Sequence, residues 1–140
     1  MQAIEQSLQL LMNLSKVNSV LSRKLTLHGL SFTDFMILYL VDQSAEGKMR
    51  RIDLADKIGL TASGVTRMLV PLEKIGVVKR EANERDARVS FVMLTPAGQQ
   101  LLEDAMVTAN HLAKEIIPAA KVKKAGALME LLGELGGNIA

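Results

Sequence analysis

Apolar residues recur at helical spacing through the start of the chain. Ile4, Leu8, Leu11, Leu14 or Ser15, Val17 and Leu21 follow one another at steps of three and four, which predicts one amphipathic helix over the first twenty-odd positions. His28 and Gly29 interrupt it. Ser31 to Asp34 has the form of a capping box with Asp in the usual Glu place, and it opens a second helix through Phe35, Leu38 and Tyr39 that stops near Gly47. Nearly every position from Phe35 to Val41 is apolar, so this helix is expected to be covered on most sides.

The stretch RIDLADKIGL predicts a short third helix with Ile52, Ala55 and Ile58 inward. Gly59 supplies a tight turn, Leu60 a buried plug and Thr61 an N-cap for the next helix. Two helices joined so closely form a helix-turn-helix. In the second of them Val65, Met68, Leu69, Leu72 and Ile75 take the core side, leaving Ala62, Ser63, Thr66, Arg67 and Lys74 outward. Pro71 lies inside this helix and cannot donate to the carbonyl of Arg67, so a kink or a loosened turn is expected there.

After Gly76 the period changes. Val77 to Glu81 and Val89 to Leu94 are rich in β-branched and aromatic residues, and the polar stretch Ala82 to Arg88 between them predicts a hairpin with an exposed, charged loop. Thr95 and Pro96 then read as N-cap and first residue of a helix that runs through Leu101, Leu102, Met106, Leu112 and Ile116 to Pro118. A last helix carries Val122, Leu128, Leu131, Leu132 and Leu135 and ends at Gly136 and Gly137. The pattern is that of a mostly α fold with a small β-hairpin wing. The terminal helices have more apolar stripe than a small central unit needs for its own cover, which points to a homodimer that buries them against their copies, with a large monomeric bundle as the alternative. Within a single domain, 1–140, segments 1–30 and 96–140 are expected to be dimerisation helices and 31–95 the winged helix-turn-helix.

Composition narrows the class. A chain of 140 residues with 49% hydrophobic content can bury a core without disulfides or metal. It has no cysteine, which excludes a disulfide scaffold, a thiolate zinc site and a thiol redox switch and fits a reducing cytoplasm. Glu5 and Lys16 break the N-terminal apolar pattern, so neither a signal peptide nor a membrane span is expected. From Lys48 to Arg88 there are ten Lys and Arg against six Asp and Glu, a net of +4, while the rest of the chain has seven against nine. A basic centre between mildly acidic flanks suits a polyanion-facing module, although an ordinary solvated surface has the same charge pattern.

The chemistry of the outward residues favours a duplex. Ser and Thr hydrogen-bond phosphates or base edges, and Arg makes a bidentate contact with guanine in the major groove, so Ser63, Thr66 and Arg67 form a reading face. A hairpin directly after such a helix is a wing, and the arginines at its tip, Arg85 and Arg88, suit the narrow minor groove, with Asp86 between them to orient one. Turn stabilisation by local ion pairs accounts for the same three residues.

The segments RIDLADKIGLTASGVTRMLVPLEKIGVVKR and, above all, ERDARVSFVMLTPAGQQLL resemble the MarR family of bacterial winged helix-turn-helix regulators, and the resemblance extends over nearly the whole chain. It implies a homodimer on a palindromic operator, usually a repressor, with interlocked terminal helices and often a small-molecule effector lodged between the dimer and DNA-binding parts. Carried over by position, Ser63, Thr66 and Arg67 match the family's recognition-helix contacts, Arg88 the wing arginine that reaches the minor groove, and Asp86 the acid that steadies it. Arg85 is read as a phosphate partner. Thr61 and Lys79 complete the candidate DNA-binding set. Where many members begin the wing motif with Asp this chain has Asn83, which removes one charged tether at the tip.

No catalytic constellation or cofactor is expected. His28 and His111 are far apart and lack a ligand pattern, no Gly-rich phosphate loop follows a strand, and Ser63 before Gly64 has no paired base. A winged helix used only for protein contact is the remaining alternative, against which stand Arg67, Arg85 and Arg88 on helix and wing alike. Met12, Met36 and Met106 suit either an adaptable effector pocket or plain core.

Overall fold

The computed structural model describes residues 1–86 and 88–139. Ala87, in the expected turn, and Ala140 lie outside the described residues. In chain order the elements are α1 (Gln6–Lys24), α2 (Phe32–Gln43), a single 3-10 turn (Ala45–Gly47), β1 (Lys48–Arg50), α3 (Arg51–Ile58), α4 (Ala62–Lys74), β2 (Val78–Ala82), β3 (Ser90–Leu94), α5 (Pro96–Ile116), α6 (Ala119–Val122) and α7 (Gly126–Glu134). The fold is mostly helical with one small antiparallel sheet in the order β1-β3-β2.

Local chemistry sets the element boundaries. The Ser31 hydroxyl accepts from the Asp34 N–H and the Asp34 carboxylate accepts from the Ser31 N–H, each at 3.0 Å, so the capping box that opens α2 is complete. Gly59 ends α3 in the left-handed conformation at φ 78°, and Thr61 caps α4 by accepting from the Gly64 N–H at 3.0 Å. Thr95 caps α5 in the same way, with Pro96 in its first turn. The hairpin register runs from Val78 opposite Leu94 to Ala82 opposite Ser90.

One core joins these elements. Leu27, Ile37, Leu38, Val41, Leu54, Val65 and Val92 are its largest fully buried side chains, and α2 lies at the centre with α3, α5 and β3 packed against it. Gly98 lets α5 close on the wing's base. A Cβ added there would stand 1.9 Å from the Val77 carbonyl oxygen, the same oxygen that accepts from the Thr95 N–H at 3.1 Å.

Several expected placements are corrected. Strand β1 was not anticipated, because Lys48–Arg50 is extended only through its pairing with β3, Met49 opposite Val92. Ile52 is 62% exposed and Leu54 fully buried, since α3 begins at Arg51 and its inward phase is Leu54, Ala55 and Ile58. Leu60 is exposed rather than a plug, and Ile75, the C-cap of α4, is exposed rather than inward. Val122 belongs to α6 and not to the last helix, and Ile4 precedes α1. Helix α4 runs from Ala62 to Lys74 with Pro71 inside it.

Helix α1 contains no buried residue. Leu8, Leu10, Leu11, Met12 and Val17 are each about half exposed, and so are Leu128, Met129 and Leu135 at the other end of the chain. The apolar stripe of the terminal helices, expected to exceed what the central unit needs for its own cover, is solvent-facing in a single chain. Among the described residues, no helix is long and apolar enough to cross a membrane.

Candidate nucleic-acid interface

Helix α4 presents two faces. Val65, Leu69 and Leu72 are buried against the core, and the opposite side carries Ser63, Arg67 and Lys74, all exposed. Ser63 and Arg67 are four residues apart and so share a face. The Ser63 hydroxyl lies 3.3 Å from that of Thr61 at the helix start. Thr66 is half-buried on the flank facing α3 rather than on this open face. Its hydroxyl donates to the Ala62 carbonyl at 3.1 Å and accepts from the Arg51 guanidinium at 3.0 Å.

The wing tip is built by two side chains that fold the backbone over themselves. The Asn83 side-chain oxygen accepts from the Arg85 N–H at 2.8 Å, and an Asp86 carboxylate oxygen accepts from the Arg88 N–H at 3.0 Å. Asn83 thus holds the turn through its side-chain oxygen without adding a charge. The Asp86 carboxylate also accepts from the Arg88 guanidinium at 3.2 and 3.4 Å, while the Arg88 side chain stays 91% exposed. Arg85 is exposed at the tip, and Lys79 is exposed on β2 opposite Met93.

Bonding to Arg88 holds the Asp86 carboxyl below its usual range, through the side-chain hydrogen bond first and the backbone one second. A carboxyl lowered on folding stabilises the native wing above its unfolded pKa of about 4, and the contribution fades as pH falls through the lower native value. The Asp86 carboxyl is accordingly expected to titrate below the ordinary aspartate midpoint in a side-chain NMR titration, with the Arg88 side-chain signals moving in step. A midpoint at or above the ordinary value contradicts the pairing.

Two further contacts, not seen in the sequence, join helix and wing. Glu73 on α4 receives a two-pronged bond from Arg80 on β2, at 2.7 and 3.2 Å, which lowers the Glu73 carboxyl and raises the Arg80 guanidinium. The spacing of seven residues across the Gly76 turn was the available signal. On the other side Arg50, Arg51 and Arg88 line one cleft of about 170 Å³ with Ile52, Val89 and Ser90. The tip end of β3 therefore borders the start of α3, which is itself bonded to α4 through Arg51. Arg50 is partly neutralised by Asp53 at 3.0 Å.

The histidines do not converge. His28 bonds Thr108 at 2.8 Å and His111 pairs with Glu115 at 3.0 Å. Among the described residues, no group of three or more His, Cys, Asp or Glu side chains is placed to hold a metal ion.

Residues 30–90, which contain the helix-turn-helix and the wing tip, match the family model described as "MarR family". The chain is also 29% identical to the HTH-type transcriptional regulator MhqR of Bacillus subtilis, covering 96% of this chain and 94% of that relative. Over residues 30–90 the chain is similar to the MarR family. The chain also superimposes on the transcriptional regulator BldR of Sulfolobus solfataricus with a TM-score of 0.80, at 28% identity and over 96% and 97% of the two chains. The MarR family regulator Sco3205 of Streptomyces coelicolor, solved in complex with DNA, shares the fold at a TM-score of 0.77 and 22% identity, over 96% and 90% of the two chains. These relatives are regulators of transcription, and MarR family members are not enzymes.

Proposed function

We propose that this chain is a MarR-type, sequence-specific, double-stranded DNA-binding transcriptional regulator that acts as a homodimer on a palindromic operator, as a repressor. The observation that carries the reading is the continuity of cations from reading helix to wing. Arg67 is exposed on α4, and Arg85 and Arg88 are exposed at the wing tip. A duplex needs positive charge at both places, because phosphates set position and affinity while base edges set preference. Sco3205, which shares the fold, is solved in complex with DNA, and that supports the reading.

Within this proposal Ser63 and Arg67 read base edges in the major groove, Arg88 enters the minor groove with Asp86 as its brace, and Arg85 and Lys79 take phosphates. Thr61 fixes the start of the reading helix. Segments 1–30 and 96–140 are the dimerisation parts. The exposed leucines of α1 and α7 support this, since an apolar helix face with no buried residue needs a partner. An apolar cleft of about 490 Å³, lined by Phe32, Phe35, Met36, Tyr39, Ile58 and the end of the chain, is the proposed seat of a releasing small molecule. Met106 packs on the core and Met12 is half exposed, so neither joins Met36 in that cleft.

The test uses Arg67→Ala and Arg88→Ala against a duplex that wild type selects. Arg88→Ala is expected to weaken binding and to lower the slope of log affinity against log salt by about one unit. Arg67→Ala should cost about 1–3 kcal/mol on the preferred site and relax preference at one base pair of each half-site. Wild-type binding by both variants on every duplex would contradict the assignment.

A further inference from the structure

Arg51 stands at the start of α3, outside the DNA-binding set that the sequence pointed to, yet it makes the single side-chain bond recorded between α3 and the reading helix among the described residues. Its guanidinium donates to Thr66 Oγ1 at 3.0 Å, and Thr66 in turn donates to the Ala62 carbonyl at 3.1 Å. A threonine hydroxyl has one proton to give. With that proton on Ala62 and one lone pair on Arg51, Thr66 has nothing to donate to a base-edge acceptor such as guanine O6 or N7, and it is half-buried besides.

The space around this pair is narrow. Arg51, Thr66, Leu69, Glu73, Arg80 and Val92 surround a void of only about 10 Å³, room for one water at most. Arg51 also lies near enough to the Glu73 carboxylate to help lower it, after the larger effect of Arg80. One arginine is thus held by α4, by the charge of the helix–wing bridge and by its own place on α3.

We infer that Arg51 is a positioning residue for base reading, and that Thr66 is its anchor on α4 rather than a base contact. The bond fixes how the N-terminal half of α4 is rotated relative to α3 and the wing, and so sets the aim of Ser63 and Arg67, which lie on the adjacent face. Arg51 acts through the helix and not on the phosphates. This rests on the DNA-binding function proposed above.

The experiment compares Arg51→Ala, Thr66→Val, Thr66→Ser and the double variant Arg51→Ala with Thr66→Val. Each is measured on the selected duplex, on a random duplex, across a salt series and in thermal unfolding. Arg51→Ala and Thr66→Val are each expected to weaken the selected duplex about fivefold, and the double variant to be no weaker than either alone. Thr66→Ser, which keeps the hydroxyl, restores wild-type binding. The salt slope and the random-duplex affinity of Arg51→Ala stay at wild-type values.

A fall of about one unit in that slope, with parallel loss on the random duplex, would overturn the inference in favour of a phosphate contact. A changed preference at one base pair in Thr66→Val but not in Arg51→Ala would overturn it in favour of direct reading by Thr66. Additive losses in the double variant would also overturn it. If wild type selects no duplex, the proposed function fails separately. The unfolding midpoints then judge the link by themselves: coinciding single and double variants support it and additive shifts overturn it.

Discussion

Gly98→Ala is expected to destabilise the fold by about 2–4 kcal/mol, a fall of roughly 10 °C in melting temperature. The cause is steric and has no easy relief. The added methyl would stand 1.9 Å from the Val77 carbonyl oxygen and 2.9 Å from its carbon, which are backbone and cannot swing aside as a long side chain does. Nor can α5 back away freely, because its first turn is bonded to that same segment. The Thr95 N–H donates to the Val77 carbonyl at 3.1 Å and the Thr95 hydroxyl to that of Gly76 at 2.6 Å. Either α5 tilts off the base of β2 or the Gly76 turn shifts, and both disturb the position of the wing. Gly133 is the control. It lies inside α7 with open space where a methyl would go, so Gly133→Ala should be neutral or stabilising by about 0.5–1 kcal/mol. Calorimetry of the two variants checks the contrast, and equal melting temperatures would contradict this packing.

The paired substitution Leu8→Glu with Leu11→Glu is expected to turn a dimer into a monomer and to lower affinity for a two-half-site duplex about a hundredfold or more. Both leucines are about half exposed on α1, a helix with no buried residue in the single chain. Two carboxylates in their place would have to be desolvated at any apolar interface, and nothing cationic in the stripe Leu8, Leu10, Leu11, Met12 is there to receive them. Affinity falls because two linked reading heads bind the second half-site as an intramolecular event, a gain on the order of a hundredfold to ten-thousandfold that a monomer loses. Sedimentation velocity reads the mass and duplex titration the affinity. Because α1 contributes nothing to the core, the melting behaviour of the central unit should survive. A wild-type protein that sediments as a monomer at micromolar concentration would contradict the dimer.

What was legible in the sequence was what local chemistry decides. The capping box at Ser31 and Asp34, the Thr61 cap, the left-handed turn at Gly59 and the Thr95–Pro96 start are each set by residues within three or four positions, and each stands where it was expected. The hairpin was legible for the same reason. Strand β1 was not, because three residues around one apolar Met49 carry no period of their own and become a strand only by pairing with β3, some forty residues later. The errors at Ile52 and Ile75 are errors of phase at the ends of short helices, where a few residues do not fix which way the stripe faces.

The candidate interface divides along the same line. Ser63, Arg67 and the wing residues Arg85, Asp86 and Arg88 were placed by helical spacing and by the turn. Thr66 was placed outward by spacing, and its half-buried position follows from Arg51, fifteen residues away and on another helix. The Glu73–Arg80 bridge that ties helix to wing is likewise a tertiary contact. Spacing assigns a face; it does not say which neighbour occupies the edge of that face.

The most direct test is selection of the purified protein on a pool of random-sequence duplexes at about 150 mM salt, where non-specific electrostatic binding is weakened. The expected result is enrichment of an inverted repeat whose half-sites are about one helical turn apart, as a two-fold dimer with one reading helix per half-site requires. A pool that emerges unenriched, from protein that is folded and dimeric, would contradict the DNA-reading role and leave the winged helix as a protein-contact module.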